Sequence, residues 1–292
     1  VFLAMGWGAV IGGTATLLGG ARAPLALGIL ENTTHYNISF LQWVIYTLPI
    51  VIPLLIIACG TIIFIGWKAD ICIQSARAQL EVHHTALGKL SKREIYTVFI
   101  LTLTVVLWIV YGKALGLDLV AFFGVLLAFC FGITHWKEVE EDVPWGIFLM
   151  YGSAIALSAA LRDTGAAFGL VHLLVQSGIE IPILIFIVVI AIASFLTEAM
   201  SNAATVAVLM PVALVIANQY HIDPRAITVA IATAAGLTFL LPVSTPAIAI
   251  ITNCSYVNPQ RALLWGLIPK IIGLLILIAI AWLFWPLLGI EI

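Results

Sequence analysis

With 292 residues, 63% of them hydrophobic and only 9% charged, the chain is far from an ordinary soluble domain, in which about a quarter of the residues carry charge. It reads as a membrane protein. Twelve cations against fourteen anions leave a net charge of −2, so no basic surface exists to neutralise a nucleic-acid backbone, and nucleic acid is excluded as a partner.

The chain opens on Val1, and Phe2 to Leu18 is apolar without the basic leader of a signal peptide, so the sequence is expected to start inside a longer protein. The first interruption of an apolar run follows at once, at Gly12-Gly13-Thr14-Ala15-Thr16-Leu17-Leu18-Gly19-Gly20-Ala21-Arg22-Ala23-Pro24. Spanning helices are predicted at Phe40–Trp67, Ile95–Tyr111, Leu119–Thr134, Pro144–Leu161 and Trp265–Leu288, each close to the roughly 20 apolar residues a bilayer requires. Five of the twelve cations, Lys68, Arg77, Lys89, Lys92 and Arg93, fall in one connector. That concentration places Lys68–Glu94 on the cytoplasmic side, with Lys137 on the same side two spans later. His83 and His84 in this connector read as solvated loop residues. Ala166–Ser177 reads as an amphipathic arm on the opposite side. Cys59, Cys72, Cys130 and Cys254 have no C-x-x-C spacing and read as apolar packing residues, not as a zinc site or redox pair.

Between Ile181 and Tyr220 the only charge is Glu198, within a polar knot from Thr197 to Thr205. A carboxylate at membrane depth is costly and is a functional candidate by default; its plainer role is to accept hydrogen bonds from nearby backbone amides. A hairpin turning at Ser201-Asn202 would aim helix N-terminal charge at an anion and offer hard oxygen ligands to a small cation such as Na⁺. From Ala226 to Gln260 there is no charge, and Gly236, Pro242, Ser244, Thr245 and Pro246 break the run, with a second loop at Leu240 to Ile248. Proline inside a helix removes hydrogen bonds. Exposed backbone polar groups are tolerated at that depth only inside protein or beside a cavity. Two such breaks suggest one shared binding cavity.

Thr197-Glu198-x-x-Ser201-Asn202-x-Ala204-Thr205, then Leu209-Met210-Pro211, then Leu241-Pro242-Val243-Ser244-Thr245-Pro246, resembles the second repeat of the divalent anion/sodium symporter family, the carriers of di- and tricarboxylates and sulfate. Val143-Pro144-Trp145-Gly146 and the Gly152–Gly165 stretch resemble the family's helix before its second hairpin, so the similarity covers nearly the whole chain. The resemblance implies an all-α polytopic membrane protein, an inverted-repeat transporter with broken helices and a re-entrant hairpin. Residues 1–31 would end repeat one with its broken helix and substrate loop, and 32–67 would be its last span. A cytoplasmic linker at 68–94 would lead to scaffold spans at 95–142. A span and arm at 143–180 would precede the re-entrant hairpin at 181–224, the second broken helix at 225–260 and the final span at 261–292. The first hairpin would lie before Val1.

By the same resemblance, one sodium site falls on Thr197, Asn202 and Ser244, and the other borrows backbone at Gly19 and Gly20. Substrate contacts fall on Ser201, Asn202, Ala203, Thr245 and Pro246, with Arg22 and Ala23 from the first loop. The chain departs from the family at three places: Ala203 stands where relatives have the threonine of Ser-Asn-Thr, and both loops lack Pro-Pro-Asn. At the first loop Arg22 brings a guanidinium that can pair with an anion, stand in for a sodium ion, or reach an aqueous vestibule. The expected function is secondary transport of a small anion coupled to Na⁺, in a multi-pass protein of the cell membrane that pairs as a homodimer through Ile95–Thr134. Proton coupling or anion exchange on the same architecture is the alternative. A channel or an intramembrane enzyme fits less well, since neither H-E-x-x-H nor G-x-S-x-G is found; no organic cofactor is implied.

Overall fold

The computed structural model describes residues 2–34, 36–66, 91–143, 146–165, 181–241, 244–253 and 259–292. Among the described residues, all regular structure is helical. The expected arm at Ala166–Ser177, most of the Lys68–Glu94 connector, His83, His84, Cys72, Cys254 and the Pro144-Trp145 pair lie outside them. The helices are α1 (Phe2–Ala15), α2 (Arg22–Thr34), α3 (Phe40–Gly66), α4 (Lys92–Leu115), α5 (Leu117–Cys130), α6 (Trp136–Asp142) and α7 (Gly146–Asp163). They continue with α8 (Pro182–Ala199), α9 (Asn202–Gln219), α10 (Pro224–Ala234), α11 (Pro246–Asn253) and α12 (Pro259–Leu283). Five stretches are long and apolar enough to cross a membrane: Phe40–Phe64, Lys92–Gly112, Pro182–Ala199, Asn202–Gln219 and Gln260–Leu283. This is an all-α polytopic membrane protein.

Two compact units divide the chain: Val1–Ile38 with Gln42–Ile62 and Trp145–Ile292, and Ser39–Leu41 with Ile63–Pro144. In the smaller unit Ser91 begins α4 with a capping box, its hydroxyl accepting from Glu94 N–H at 3.2 Å and its own N–H donating to the Glu94 carboxylate at 2.6 Å. Lys92 and Arg93 therefore belong to the helix, not to the connector. Arg93 donates to both carboxylate oxygens of Glu138, at 3.0 and 3.2 Å, and to the carbonyl of Ile133. The start of α4 and the Trp136–Lys137 region thus share one end of this unit, as the cation count anticipates.

The larger unit holds both interrupted helices. At 14, 13, 11 and 8 residues, α1, α2, α10 and α11 measure about 21, 20, 17 and 12 Å at 1.5 Å per residue. None alone crosses a hydrocarbon core of about 30 Å; as pairs they can. The breaks are shifted from their expected bounds. The first is shorter, because Gly12 to Ala15 remain helical and the chain departs only from Thr16 to Ala21; the second opens at Ala235, five residues before Leu240.

The packing is reciprocal. The leading half of each broken helix lies against the trailing half of the other, α1 on α11 and α10 on α2, which is what two elements related by a twofold axis would do. Gly6 lets α1 approach α11, since a Cβ there would come within 2.6 Å of Ile251 Cδ1. At the centre is α10, buried at every residue from Ala226 to Ala234 and flanked by α8, α9 and α12. Trp7 meets Phe239 edge-on at 6.2 Å, and Phe186 meets Trp285 likewise at 6.5 Å.

Candidate functional site

A helix that stops inside a membrane strands its last carbonyls, and each needs a partner. At the end of α1 the partners are side chains. Arg22 Nη2 donates to Gly13 O at 3.0 Å and Trp43 Nε1 to Thr14 O at 3.4 Å, while the Thr47 hydroxyl is shared between Ala15 O at 3.1 Å and Trp43 O of its own helix at 2.9 Å. The returning loop is held tightly against this helix end. A Cβ on Gly19 would sit 1.9 Å from Gly13 O, so only glycine lets the two backbones meet.

The end of α10 is treated the same way, and Arg22 serves both. Arg22 Nε donates to Ala232 O at 3.1 Å, and Thr197 Oγ1, from the end of α8, lies 2.7 Å from Ala235 O. The first interruption and the hairpin arm therefore meet the second interruption within three residues of each other. Beyond Ala235 the loop is held by an acid and a base. Glu198 accepts from Leu241 N–H at 3.0 Å and from Phe239 N–H at 3.4 Å. Lys270 Nζ, from α12, donates to Glu198 Oε1 at 2.6 Å, to Ser194 O at 2.8 Å and to Leu237 O at 3.3 Å. Gly266, one turn earlier on α12, makes this approach possible, as a Cβ there would lie 2.3 Å from Phe239 O.

The chain turns between α8 and α9 at the expected Ser201-Asn202. α8 ends at Ala199, Met200 is extended, and Ser201 caps α9 by accepting from Ala204 N–H at 3.2 Å. Across the turn Thr197 Oγ1 also lies 2.9 Å from Asn202 Oδ1. Three oxygens, from Thr197, Asn202 and Ala235, thus share the one hydroxyl proton that threonine supplies. A hydroxyl can satisfy one acceptor; a small hard cation can satisfy three oxygens together. Nearby elements carry further unmatched polarity, because the buried hydroxyls of Ser194, Thr205, Thr233 and Thr238 have no hydrogen-bond partner among the described residues. Each costs about 1–3 kcal/mol if left dry, so this part of the core suits water or an ion.

The structure sorts the expected residues. Thr197, Asn202 and Glu198 converge on the second interruption. Gly19 lies on the end of α1, and Gly20 lies beside Arg22, where a Cβ would approach Nη1 to 3.3 Å. Ser244 is expected to lend backbone from the facing loop, but the backbone oxygen that faces Thr197 is that of Ala235; the Ser244 hydroxyl donates to Leu241 O at 2.6 Å. Thr245 caps α11, accepting from Ile248 N–H at 3.4 Å, with Pro246 exposed as the first helical residue. Ala203 and Ala23 contribute only methyl groups. Arg22 is 6% exposed and lies between helix ends, not in an open vestibule. Sequence reasoning missed Ala235 and Lys270. The first, a backbone ligand, leaves no side-chain signal; the second had one, being the sole charge between Ala262 and Ile290.

Comparison with known proteins establishes the family. The family model for the sodium:sulfate symporter transmembrane region matches residues 1–291. The chain is 26% identical to a sodium-dependent dicarboxylate transporter, SdcS, of Staphylococcus saprophyticus, over 99% of this chain and 60% of that protein. It is 28% identical to SdcS of Staphylococcus aureus (99% and 59%) and 27% identical to an uncharacterized transporter of Haemophilus influenzae (98% and 62%). It therefore spans about 60% of the length of these relatives. With both interrupted helices and the Thr-Glu-x-x-Ser-Asn turn gathered in one unit, the chain belongs to the sodium:sulfate symporter family.

Proposed function

We propose that the protein is a secondary active transporter, and not an enzyme, that moves a small anion of the di- or tricarboxylate or sulfate class across the cell membrane in company with Na⁺. The observation that carries this reading is the trio of Thr197, Asn202 and Ala235 oxygens with a single proton among them, at the mouth of a buried broken helix. Na⁺ would take that position as co-substrate, with Asn202 as ligand and helix-capping residue together. The anion would sit by Ser201, whose hydroxyl proton remains free to donate, and by Thr245, both at helix N-termini that favour negative charge. Cation and anion would each raise the affinity of the other, since such coupling is reciprocal.

In this reading the 181–224 segment is the re-entrant hairpin that carries the tip, and Gly19, Gly20 and Ala23 line the first loop. Glu198 holds the second interruption, with its oxygens engaged by Lys270 and two backbone N–H groups. Homodimers would form through the apolar faces of α4 and α5. The test is uptake of labelled succinate, citrate and sulfate by the full-length protein in vesicles, with and without a Na⁺ gradient. Stimulation by Na⁺ is expected, and Asn202→Ala is expected to abolish it while expression is unchanged. Uptake that ignores Na⁺ and follows a proton gradient or counter-anion would replace this reading with exchange or proton coupling.

A further inference from the structure

Arg22 is the buried charge that the scheme above leaves unbalanced. Among the described residues its guanidinium has no carboxylate at ion-pair distance, unlike Lys270, which pairs with Glu198. Its hydrogen bonds are also incomplete. A guanidinium carries five N–H donors in a fixed fork. Nε spends one on Ala232 O, and Nη2 spends two, on Gly13 O and on Thr14 Oγ1 at 2.9 Å. The two on Nη1 have no acceptor among the described residues.

The surroundings fix which way that free nitrogen faces. On one side the fork lies flat on the second interruption, where a Cβ on Gly236 would collide with Nη2, Cζ and Nε at 2.6–2.7 Å. On the other side Nη1 lies next to Gly20, which is exposed and has no side chain to cover it. Three bonds hold the guanidinium on its glycine bed, with Nη1 beside the exposed Gly20. A largely buried cation without a counter-charge is costly. An anion arriving at Nη1 offsets that cost with a charge-assisted hydrogen bond.

We propose that Arg22 is a fixed cation of the binding site with a separate task for each edge. Its Nε and Nη2 edge bridges the carbonyl ends of α1 and α10, the role a bound cation would serve between two half-helices, and Nη1 donates to an oxygen of a carboxylate or sulfate. This deepens the transport reading and rests on it for the anion's passage, but not for its binding. Part of the anion's affinity is then independent of Na⁺, and the Na⁺ requirement is confined to the Thr197–Asn202–Ala235 position.

The experiment is equilibrium binding of labelled succinate and sulfate to the purified full-length protein, in Na⁺-free buffer and across a Na⁺ titration. Wild type is expected to bind without Na⁺. Arg22→Gln should lose about tenfold or more of that Na⁺-free affinity, and Arg22→Lys should fall between them, because one ammonium cannot bridge both carbonyls and serve the anion. Equal Na⁺-free affinity in wild type and Arg22→Gln would overturn the proposal. Should Arg22→Gln fail to fold, wild type decides through its unfolding temperature in Na⁺-free buffer: a rise with succinate or sulfate over chloride supports the proposal, and no rise overturns it. Arg22-dependent binding without uptake would sink the transport reading alone. Na⁺-driven uptake with binding indifferent to Arg22 would sink this inference alone.

Discussion

The two interruptions each bury a cation, and they differ in how that cation is balanced. At the second, all three donors of Lys270 are matched, one of them by the carboxylate of Glu198 at 2.6 Å. At the first, Arg22 meets only neutral acceptors and keeps two donors unused. A compensated pair of this kind holds backbone in place and offers little to a solute. An uncompensated one is poised for a ligand of opposite charge. The contrast separates scaffold from site in a region where both are made of the same half-helices, small residues and buried charge.

The largest effect should come from breaking the compensated pair. Lys270→Met leaves Glu198 buried without its counter-ion and is expected to destabilise the protein by about 3–5 kcal/mol, whereas Lys270→Met with Glu198→Gln should recover most of that loss. Thermal unfolding of the full-length protein in detergent, read as a double-mutant cycle, measures it. Additive losses would show that the two residues do not act as a pair. The next effect is functional: Thr197→Val keeps the shape of the α8 end but removes an oxygen of the proposed cation position. Its Na⁺ activation constant should rise about tenfold or more, and stability should fall by about 1–3 kcal/mol because the buried Ala235 carbonyl loses its partner. An unchanged Na⁺ dependence would move the cation elsewhere.

Much of this fold was legible because membrane burial writes itself plainly in sequence. The uncharged runs marked the stretches now at Phe40–Phe64, Lys92–Gly112 and Gln260–Leu283. Among the described residues, however, Leu119–Thr134 and Pro144–Leu161 are not long and apolar enough to cross, while α8 and α9, expected as hairpin arms, both are. Ser201-Asn202 marked the turn between those two. Break positions were less legible. Gly12, Gly13 and Pro242 drew attention as helix breakers, but the ends of α1 and α10 are set by which carbonyls find side-chain partners, Trp43, Thr47, Arg22 and Thr197, and those contacts are distant in sequence. The same reason hid Ala235: a carbonyl ligand has no residue type. At Ser244 the expectation was a backbone contribution from the facing loop, whereas the carbonyl that meets Thr197 is that of Ala235.

Two glycines allow a finer test of the first interruption. Gly19→Ala forces a Cβ to within 1.9 Å of the Gly13 carbonyl, backbone against backbone, and should cost about 1–3 kcal/mol in stability. Gly236→Ala presses instead on the guanidinium of Arg22, which can shift only by straining its bonds to the helix ends. It should cost less stability than Gly19→Ala yet weaken Na⁺-free anion binding several-fold, as the fork loses its bed. Equal stability losses for both would mean that Arg22 is as immovable as backbone.

The smallest effect belongs to the exposed ion pair of the other unit, and it calibrates the rest. Glu138 has its carboxyl held below the usual glutamate value, first by the hydrogen bond from Arg93 and then by the His135 N–H. Being depressed on folding, such a group adds stability that is present above its unfolded pKa and is lost only as pH falls through its folded one. Between pH 6 and 8 nothing should change. Both side chains are also widely exposed, at 58% and 43%, so solvent and salt screen the pair. Arg93→Ala should therefore leave unfolding temperature and uptake at wild-type values at neutral pH. A large loss there would mean that charge pairing at the surface of this protein is as consequential as pairing in its core, and the distinction between Lys270 and Arg22 would no longer follow from compensation alone.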